Sequence, residues 1–230
     1  MNDQDFRELL EGRLQLYRLL SRLYIVEVDD ALWASLKGMH FPESADEPHM
    51  AEGWRRLAAY IAEGHGENPV EELAVDYARI FLSAGVSSGA AYPIESVYTS
   101  PEHLVMQDAW EAVCGIYRAN GFGKREGVDV HEDQLGLELD FMAVMTERAL
   151  TALEKGSCEA LLKNLEVQKS FLESHLLNWI HHFAEDVRNC PGTDFYKAVS
   201  LVTEGFLEMD RSMLEEAAAE AAKAADAKKA

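Results

Sequence analysis

The sequence predicts an all-α fold, a single helical domain of roughly eight to ten helices. Three observations predict it. Apolar residues recur at three- and four-residue steps along most of the 230-residue chain. No stretch alternates apolar and polar residues long enough to make a strand. Helix start signals, an Asn, Asp or Ser followed by proline or an acid, stand where several periodic runs begin.

The first helix is expected from about Asp3 to Val26, where Phe6, Leu10, Leu14, Tyr17, Leu20 and Tyr24 share a face. Asp29 or Asp30 can cap a short helix through Leu36 by accepting from its orphan amides. Pro42 to Pro48 reads as a loop, and Met50 to Glu63 as a helix with Trp54, Leu57, Ala58 and Ile61 inward. Gly64 to Asn68 breaks it. Asn68-Pro69-Val70-Glu71 then combines a capping box with proline at the first helical position. The helix it launches puts Leu73, Tyr77, Ile80 and Phe81 on one side.

From Ser83 to Ala91 nothing is larger than Val86, so a bare loop is expected there, followed by a cluster of Tyr92, Pro93, Ser96 and Tyr98. Ser100-Pro101 is a second cap-plus-proline start, for a helix holding Leu104, Trp110, Val113, Cys114 and Tyr117. The segment from Gly121 to His131 has three glycines and no period, and is the natural hinge. A helix from about Glu132 to Leu153 follows. One long helical pattern runs from Cys158 to Arg188 and stops at Cys190-Pro191-Gly192. A last helix carries Phe195, Tyr196, Val199, Val202, Phe206 and Leu207.

These runs divide residues 1–214 into N-terminal helices to about 120, the hinge at 121–131 and C-terminal helices at 132–214. The alanine-rich tail, 215–230, has helix propensity but no large apolar face, so a frayed helical extension or a disordered tail is expected.

Composition narrows the function. The chain carries 21 basic and 41 acidic residues, a net charge of −20 with histidine neutral. Such a surface repels nucleic-acid phosphates and anionic lipid, and attracts a Lys- or Arg-bearing partner. The plainer reading of the same charge is solubility. Three widely spaced cysteines, Cys114, Cys158 and Cys190, form neither a disulfide framework nor a zinc motif. The acidic, amphipathic N-terminus is not a secretory signal, and no apolar run is long enough to span a bilayer, so a cytoplasmic protein with reduced thiols is expected. Arg55-Arg56 lies inside a helical pattern and is not an export signal of this chain's own.

Catalytic signatures are weak. Ser96 sits in Ile94-Glu95-Ser96-Val97-Tyr98 rather than in a nucleophile elbow. Gly85 to Gly89 is glycine-rich but lacks the Lys-Ser/Thr of a phosphate loop. His175, His181 and His182 lie in one helical run, with His175 and His182 sharing a face, and a helical metal- or cofactor-binding protein built on them is the alternative reading. Near the hinge stand Asp129, Glu132, Asp133, Glu138 and Asp140. Carboxylates in a first helical turn favour the helix dipole, which accounts for Glu132 and Asp133 without any ligand. The functional reading is that this group faces a groove and holds a cation.

Two segments carry a family resemblance. One is Tyr77-Ala78-Arg79-Ile80-Phe81, followed after the loop by Tyr92-Pro93-Ile94-Glu95-Ser96-Val97-Tyr98. The other is Val130-His131-Glu132-Asp133-Gln134-Leu135, leading into an acidic apolar helix. In order and spacing they resemble the cytoplasmic redox-enzyme maturation chaperones of the TorD/DmsD/NarJ type. The likeness continues through Phe171 to Phe183 and Asp194 to Asp210 and covers most of the chain except the tail. The chain departs from that pattern at His131, where the family often has proline, at Gln134, where it often has histidine, and at Ile94, where it has an aromatic.

The resemblance implies a binding protein rather than an enzyme, with no cofactor of its own. Its partner would be a molybdopterin-containing oxidoreductase catalytic subunit, or that subunit's twin-arginine signal peptide, held until cofactor insertion. Guanidiniums need carboxylates, for which Glu95, Glu132 and Asp133 are the candidates. The apolar part of a signal needs an aromatic wall, for which Tyr77, Phe81, Tyr92 and Tyr98 are the candidates. Pro93, Ser96, His131 and Gln134 complete the implied peptide-binding set. A hinge between two helical sets is compatible with a monomer or a domain-swapped dimer.

Overall fold

Periodic apolar runs become ten α-helices among the residues described by this computed structural model, which are 3–63, 66, 68–82 and 89–227. They are α1 (Asp3–Ile25), α2 (Asp30–Gly38), α3 (Pro48–Ala62), α4 (Pro69–Phe81), α5 (Glu95–Thr99), α6 (Asp108–Ala119), α7 (Leu135–Glu154), α8 (Cys158–Phe171), α9 (Ile180–Asn189) and α10 (Asp194–Ala227). A π-helical turn, Leu172–Leu176, follows α8 directly. The fold is all-α. Among the described residues the one extended pairing is an isolated antiparallel bridge between Ile94 and Gln134. The small-residue loop and its glycine-rich stretch fall largely outside the described residues, at 83–88.

The helices before and after the Gly121–His131 segment share one core. α1 lies along α7, and α3 along α10. α10 also packs on α8 and α9, so it is the central strut. The approach of α3 to α10 depends on Gly53, where a Cβ would sit 2.7 Å from the backbone nitrogen of Val202. Tyr24 of α1, Phe81 of α4, Phe183 of α9 and Tyr196 of α10 meet edge-to-face or stacked, with ring centroids 5.2–6.1 Å apart. Each such buried ring removes a large apolar area from water, and the packed pairs add about 0.5–1.5 kcal/mol beyond that area.

Three expectations change. The helix expected from Ser100-Pro101 begins only at Asp108. His103 and Met106 adopt φ of 53° and 56°, which no helix accommodates, and Ser100 instead closes a turn by accepting from the Leu104 amide at 3.2 Å.

The single run from Cys158 to Arg188 is broken at 172–179. The Leu177 amide reaches back five residues to Leu172, and the indole of Trp179 takes the carbonyl of His175 at 2.6 Å. A side chain inserted into the ladder in this way ends the regular helix.

The alanine-rich tail continues α10 as helix to Ala227, the helical one of the two forms expected, and it does bury a face, with Ala217 and Ala221 nearly inaccessible beyond Leu214. Small side chains suffice because the neighbouring helix comes close, and Lys169 of α8 pairs with Glu215 at 3.2 Å.

Candidate functional site

The two motif-bearing segments meet at the start of α7. The Leu135 amide donates to the Pro93 carbonyl at 2.9 Å, and the Glu95 amide to the Asp133 carbonyl at 2.9 Å. One carboxylate oxygen of Asp133 accepts from both the Ser96 amide (3.0 Å) and the Ser96 hydroxyl (2.5 Å), which caps the five-residue α5. Gln134 is the N-cap of α7. Its Oε1 accepts from the Leu137 amide at 3.2 Å, while its Nε2 donates to the Tyr24 carbonyl at 2.6 Å. Gln134 thus serves the local role that a capping side chain must fill whatever stands there.

Behind this junction lies a buried polar cluster. Glu95 is 1% exposed, yet it bridges two groups, with His175 Nδ1 3.0 Å from one oxygen and Asn178 Nδ2 2.9 Å from the other. Glu138 is fully buried, and neither of its oxygens has a hydrogen-bond partner among the described residues. Burial, reinforced by the facing Glu95 carboxylate, holds its pKa well above the usual carboxylate range. Burial also raises Asp133, against the opposing pull of its Ser96 hydrogen bonds. The Tyr117 hydroxyl faces the same acids and is pushed up by burial first and Glu138 next.

The structure therefore divides the residues singled out from the sequence. Tyr77, Phe81, Pro93, Glu95, Ser96, Asp133 and Gln134 are buried. Tyr92 is exposed, and Tyr98, His131 and Glu132 are partly so. Glu132 is engaged on the surface, accepting from the Trp110 indole at 2.7 Å and pairing with Lys124 at 2.9 Å. Asp140 pairs with Arg125 at 2.7 Å, and Asp129 is exposed. The carboxylates near the hinge do not share one face.

The three histidines part company as well. The π-turn rotates His175 inward onto Glu95, whereas His181 and His182 lie exposed on α9 with ring centroids 4.8 Å apart. Among the described residues no group of three or more His, Cys, Asp or Glu is placed to hold a metal ion.

Tyr92 and Tyr98 border a groove of about 530 Å³, lined also by Ala90, Val97, His103, His182, Glu185 and Asp186. Tyr98 stacks on Trp179 (centroids 5.4 Å) and donates its hydroxyl to Asp186 Oδ2 at 3.0 Å. Burial, then the adjacent Asp186 charge, raises the Tyr98 pKa far above normal, so the phenol stays a donor. His103 is held with its Nδ1 2.8 Å from the Val97 carbonyl. Glu185, Asp186 and His103 were not singled out from the sequence. In a run such as Glu185-Asp186-Val187-Arg188 the two acids read as an ordinary solvated helix face, and only the arrival of Tyr98 across the groove distinguishes them.

Comparison with known proteins gives first a class. The chain is similar to proteins named as chaperones, not as catalysts. It is 28% identical over 218 residues to a protein named chaperone protein TorD from Vibrio cholerae, covering 93% of this chain and 96% of that one. It is 26% identical over 220 residues to a chaperone protein TorD from Photobacterium profundum, covering 92% and 98%. It is 24% identical over 195 residues to a probable Tat proofreading chaperone DmsD from Haemophilus influenzae, covering 81% and 83%. The family model described as nitrate reductase delta subunit matches residues 43–185, and the chain belongs to that family.

Proposed function

We propose that this protein is a redox-enzyme maturation chaperone of the cytoplasm. It binds the twin-arginine signal peptide, the apo form, or both, of a molybdenum-cofactor oxidoreductase subunit and holds it for cofactor insertion. The observation that carries this reading is the likeness to named TorD and DmsD chaperones along nearly the whole chain. The chemistry agrees. A surface with net charge −20 attracts a segment bearing guanidiniums, and aromatic rings at a groove edge suit the apolar residues that follow them. No helix among the described residues is long and apolar enough to cross a membrane.

Residues implied by the resemblance take two roles in this reading. Tyr92, Tyr98, His131 and Glu132 are accessible enough to touch a partner. Tyr77, Phe81, Pro93, Glu95, Ser96, Asp133 and Gln134 act from inside, by fixing the segment that presents the others. Calorimetric titration of the purified protein with twin-arginine signal peptides and apo-subunits from its own genome tests the proposal. Saturable binding to one of them is expected, weakening with salt. Absence of binding to every signal peptide and every apo-subunit, at low as well as physiological salt, would sink it.

A further inference from the structure

We infer that the groove between Tyr92, Tyr98 and α9 is an arginine-reading subsite, in which Glu185 and Asp186 receive the guanidinium groups of a bound segment. This rests on the chaperone reading and adds the residues that would read the positive charge.

Charge selects this groove over its neighbours. The one beside the hinge contains Arg118 and Lys124, and the one at α1 contains Arg18, Arg22 and Arg125. Both would oppose a cationic guest. The groove at α4 holds Glu71, Glu72 and Asp76 but also Arg79, which pairs with Asp76 at 2.7 Å, and neither it nor the groove holding Glu102 and Asp108 is lined by an aromatic ring. In the Tyr92–α9 groove, no Lys or Arg of the described residues pairs with Glu185 or Asp186. Asp186 spends one oxygen on the Tyr98 hydroxyl and keeps the other.

The carboxylates that the family resemblance suggested for this task are elsewhere. Glu95 and Asp133 are no more than 1% exposed and are occupied by His175, Asn178 and Ser96, while Glu132 lies in the groove beside the hinge, paired with Lys124 at 2.9 Å.

Aromatic faces and an apolar rim define the rest of the guest. Tyr92 is 42% exposed, so its ring can cover the face of a planar cation, which favours arginine over lysine. At His103 and Met106 the chain turns through left-handed conformations, and it presents Leu104, Val105 and Met106 to solvent. An acidic, aromatic groove running onto an exposed apolar turn fits a segment in which arginine is followed directly by apolar residues.

The test uses the full-length protein and the acetylated peptide Ala-Arg-Arg-Leu-Leu-Ala, beside its Lys-Lys counterpart. Affinity is read by fluorescence anisotropy, and the site by amide and tyrosine-ring chemical-shift changes. The expected result is arginine preferred over lysine, with shifts confined to Tyr92, Tyr98, His103 and α9. Glu185→Gln with Asp186→Asn should weaken the arginine peptide by about tenfold and flatten its salt dependence. Asn at 186 keeps an acceptor for Tyr98, and Glu185→Gln alone, which leaves the Tyr98–Asp186 hydrogen bond intact, serves as the variant whose folding is safe. Unchanged affinity and salt slope in both variants, shifts located elsewhere, or no binding of the short peptide would each overturn the subsite. The chaperone reading survives those outcomes as long as full signal peptides or apo-subunits still bind the wild type.

Discussion

Tyr77 and Gln134 donate to the same atom, the carbonyl oxygen of Tyr24, at 2.9 and 2.6 Å. That carbonyl lies in the last turn of α1, where helix geometry leaves it without an intrahelical partner. Tyr77 comes from the aromatic motif of α4 and Gln134 from the hinge motif before α7. The two segments that carry the family resemblance are thus joined through the end of a third helix. Tyr77→Phe should cost about 1 kcal/mol of unfolding free energy, because Gln134 still satisfies the carbonyl. Gln134→Ala should cost about 1–3 kcal/mol, since the α7 cap goes with it. In urea melts the double variant should lose more than the sum of the two, because the carbonyl is then orphaned. A strictly additive result would mean that the two donors do not share the acceptor.

Asp133 should behave as a structural residue first. Asp133→Ala leaves the Ser96 amide and hydroxyl without their acceptor in a site closed to water, at about 2–3 kcal/mol. Asp133→Asn keeps an acceptor oxygen and should recover much of that. Thermal melts of the two variants read the difference. If Asp133→Ala melts with the wild type but loses a bound client, the residue touches the client directly, contrary to its burial.

Much of the fold was legible because helix starts are local. Asn68 accepts from the Glu71 amide at 3.3 Å and donates to the Glu71 carboxylate at 2.9 Å, as its capping-box spacing indicates. Asp29 caps α2 through the Leu32 amide at 2.8 Å. Ser100-Pro101 offers the same local signal and fails, because Ser96 takes the Gln107 amide and His103 docks on Val97, side-chain contacts that bridge the start signal and that apolar spacing does not encode. The break after Phe171 was invisible for a similar reason. The residues from Phe171 to Phe183 keep helical apolar spacing, and only the indole of Trp179 reaching the His175 carbonyl reveals the insertion. Within the candidate site, Tyr77 and Phe81 carry a pattern that suits a groove and a core equally, and packing against Tyr24, Phe183 and Tyr196 decided for core.

Arg13 and Asp210 tie α1 to α10 by a bidentate pair, Nε–Oδ1 at 2.5 Å and Nη2–Oδ2 at 2.9 Å, with the Tyr17 hydroxyl also on Oδ2 at 2.6 Å. Both side chains are essentially inaccessible. Asp210→Ala should therefore cost about 3–5 kcal/mol, because it strands a buried guanidinium. Arg13→Met with Asp210→Leu should recover most of that loss, since the desolvation cost of both ions disappears together. Chemical denaturation of the single and double variants checks the pair. A double variant as unstable as Asp210→Ala would show that the ion pair itself, not the stranded charge, holds the helices.

Gly53 sets how closely α3 can lie on α10. A Cβ there would stand 2.7 Å from both the Val202 amide nitrogen and Cγ2, and 2.9 Å from the Ala198 carbonyl oxygen. Backbone cannot swing aside as a side-chain tip can, so the helices themselves must part. Gly53→Ala should destabilise by about 1–3 kcal/mol despite alanine's better helix propensity. Differential scanning calorimetry measures it, and a rise in Tm would refute the tight contact.

Glu138 gives the protein a pH dependence whose sign is fixed by its burial. Its folded pKa lies well above the unfolded carboxyl value, which is about 4.3. Between those two values the folded state holds a proton that the unfolded state releases. The stability tied to this group is fully present below the unfolded pKa and is lost as pH rises through the folded one. The groups facing it across the cluster are Glu95 from α5, Asp133 before α7, the Trp179 indole after the π-turn and Tyr117 from α6, and Glu95 is in turn held by His175. Glu138→Gln keeps the shape and cannot ionise, so it should be more stable than the wild type at neutral and alkaline pH and closer to it near pH 4. Asp29, Glu52, Glu132 and Asp194 have lowered pKa values and give the opposite slope, so the total stability of either protein mixes both signs. The wild-type minus variant difference isolates Glu138. Urea midpoints across pH 4–8 should show that difference growing more unfavourable to the wild type with rising pH. A difference independent of pH would mean that Glu138 holds no proton in the folded state beyond those it holds unfolded.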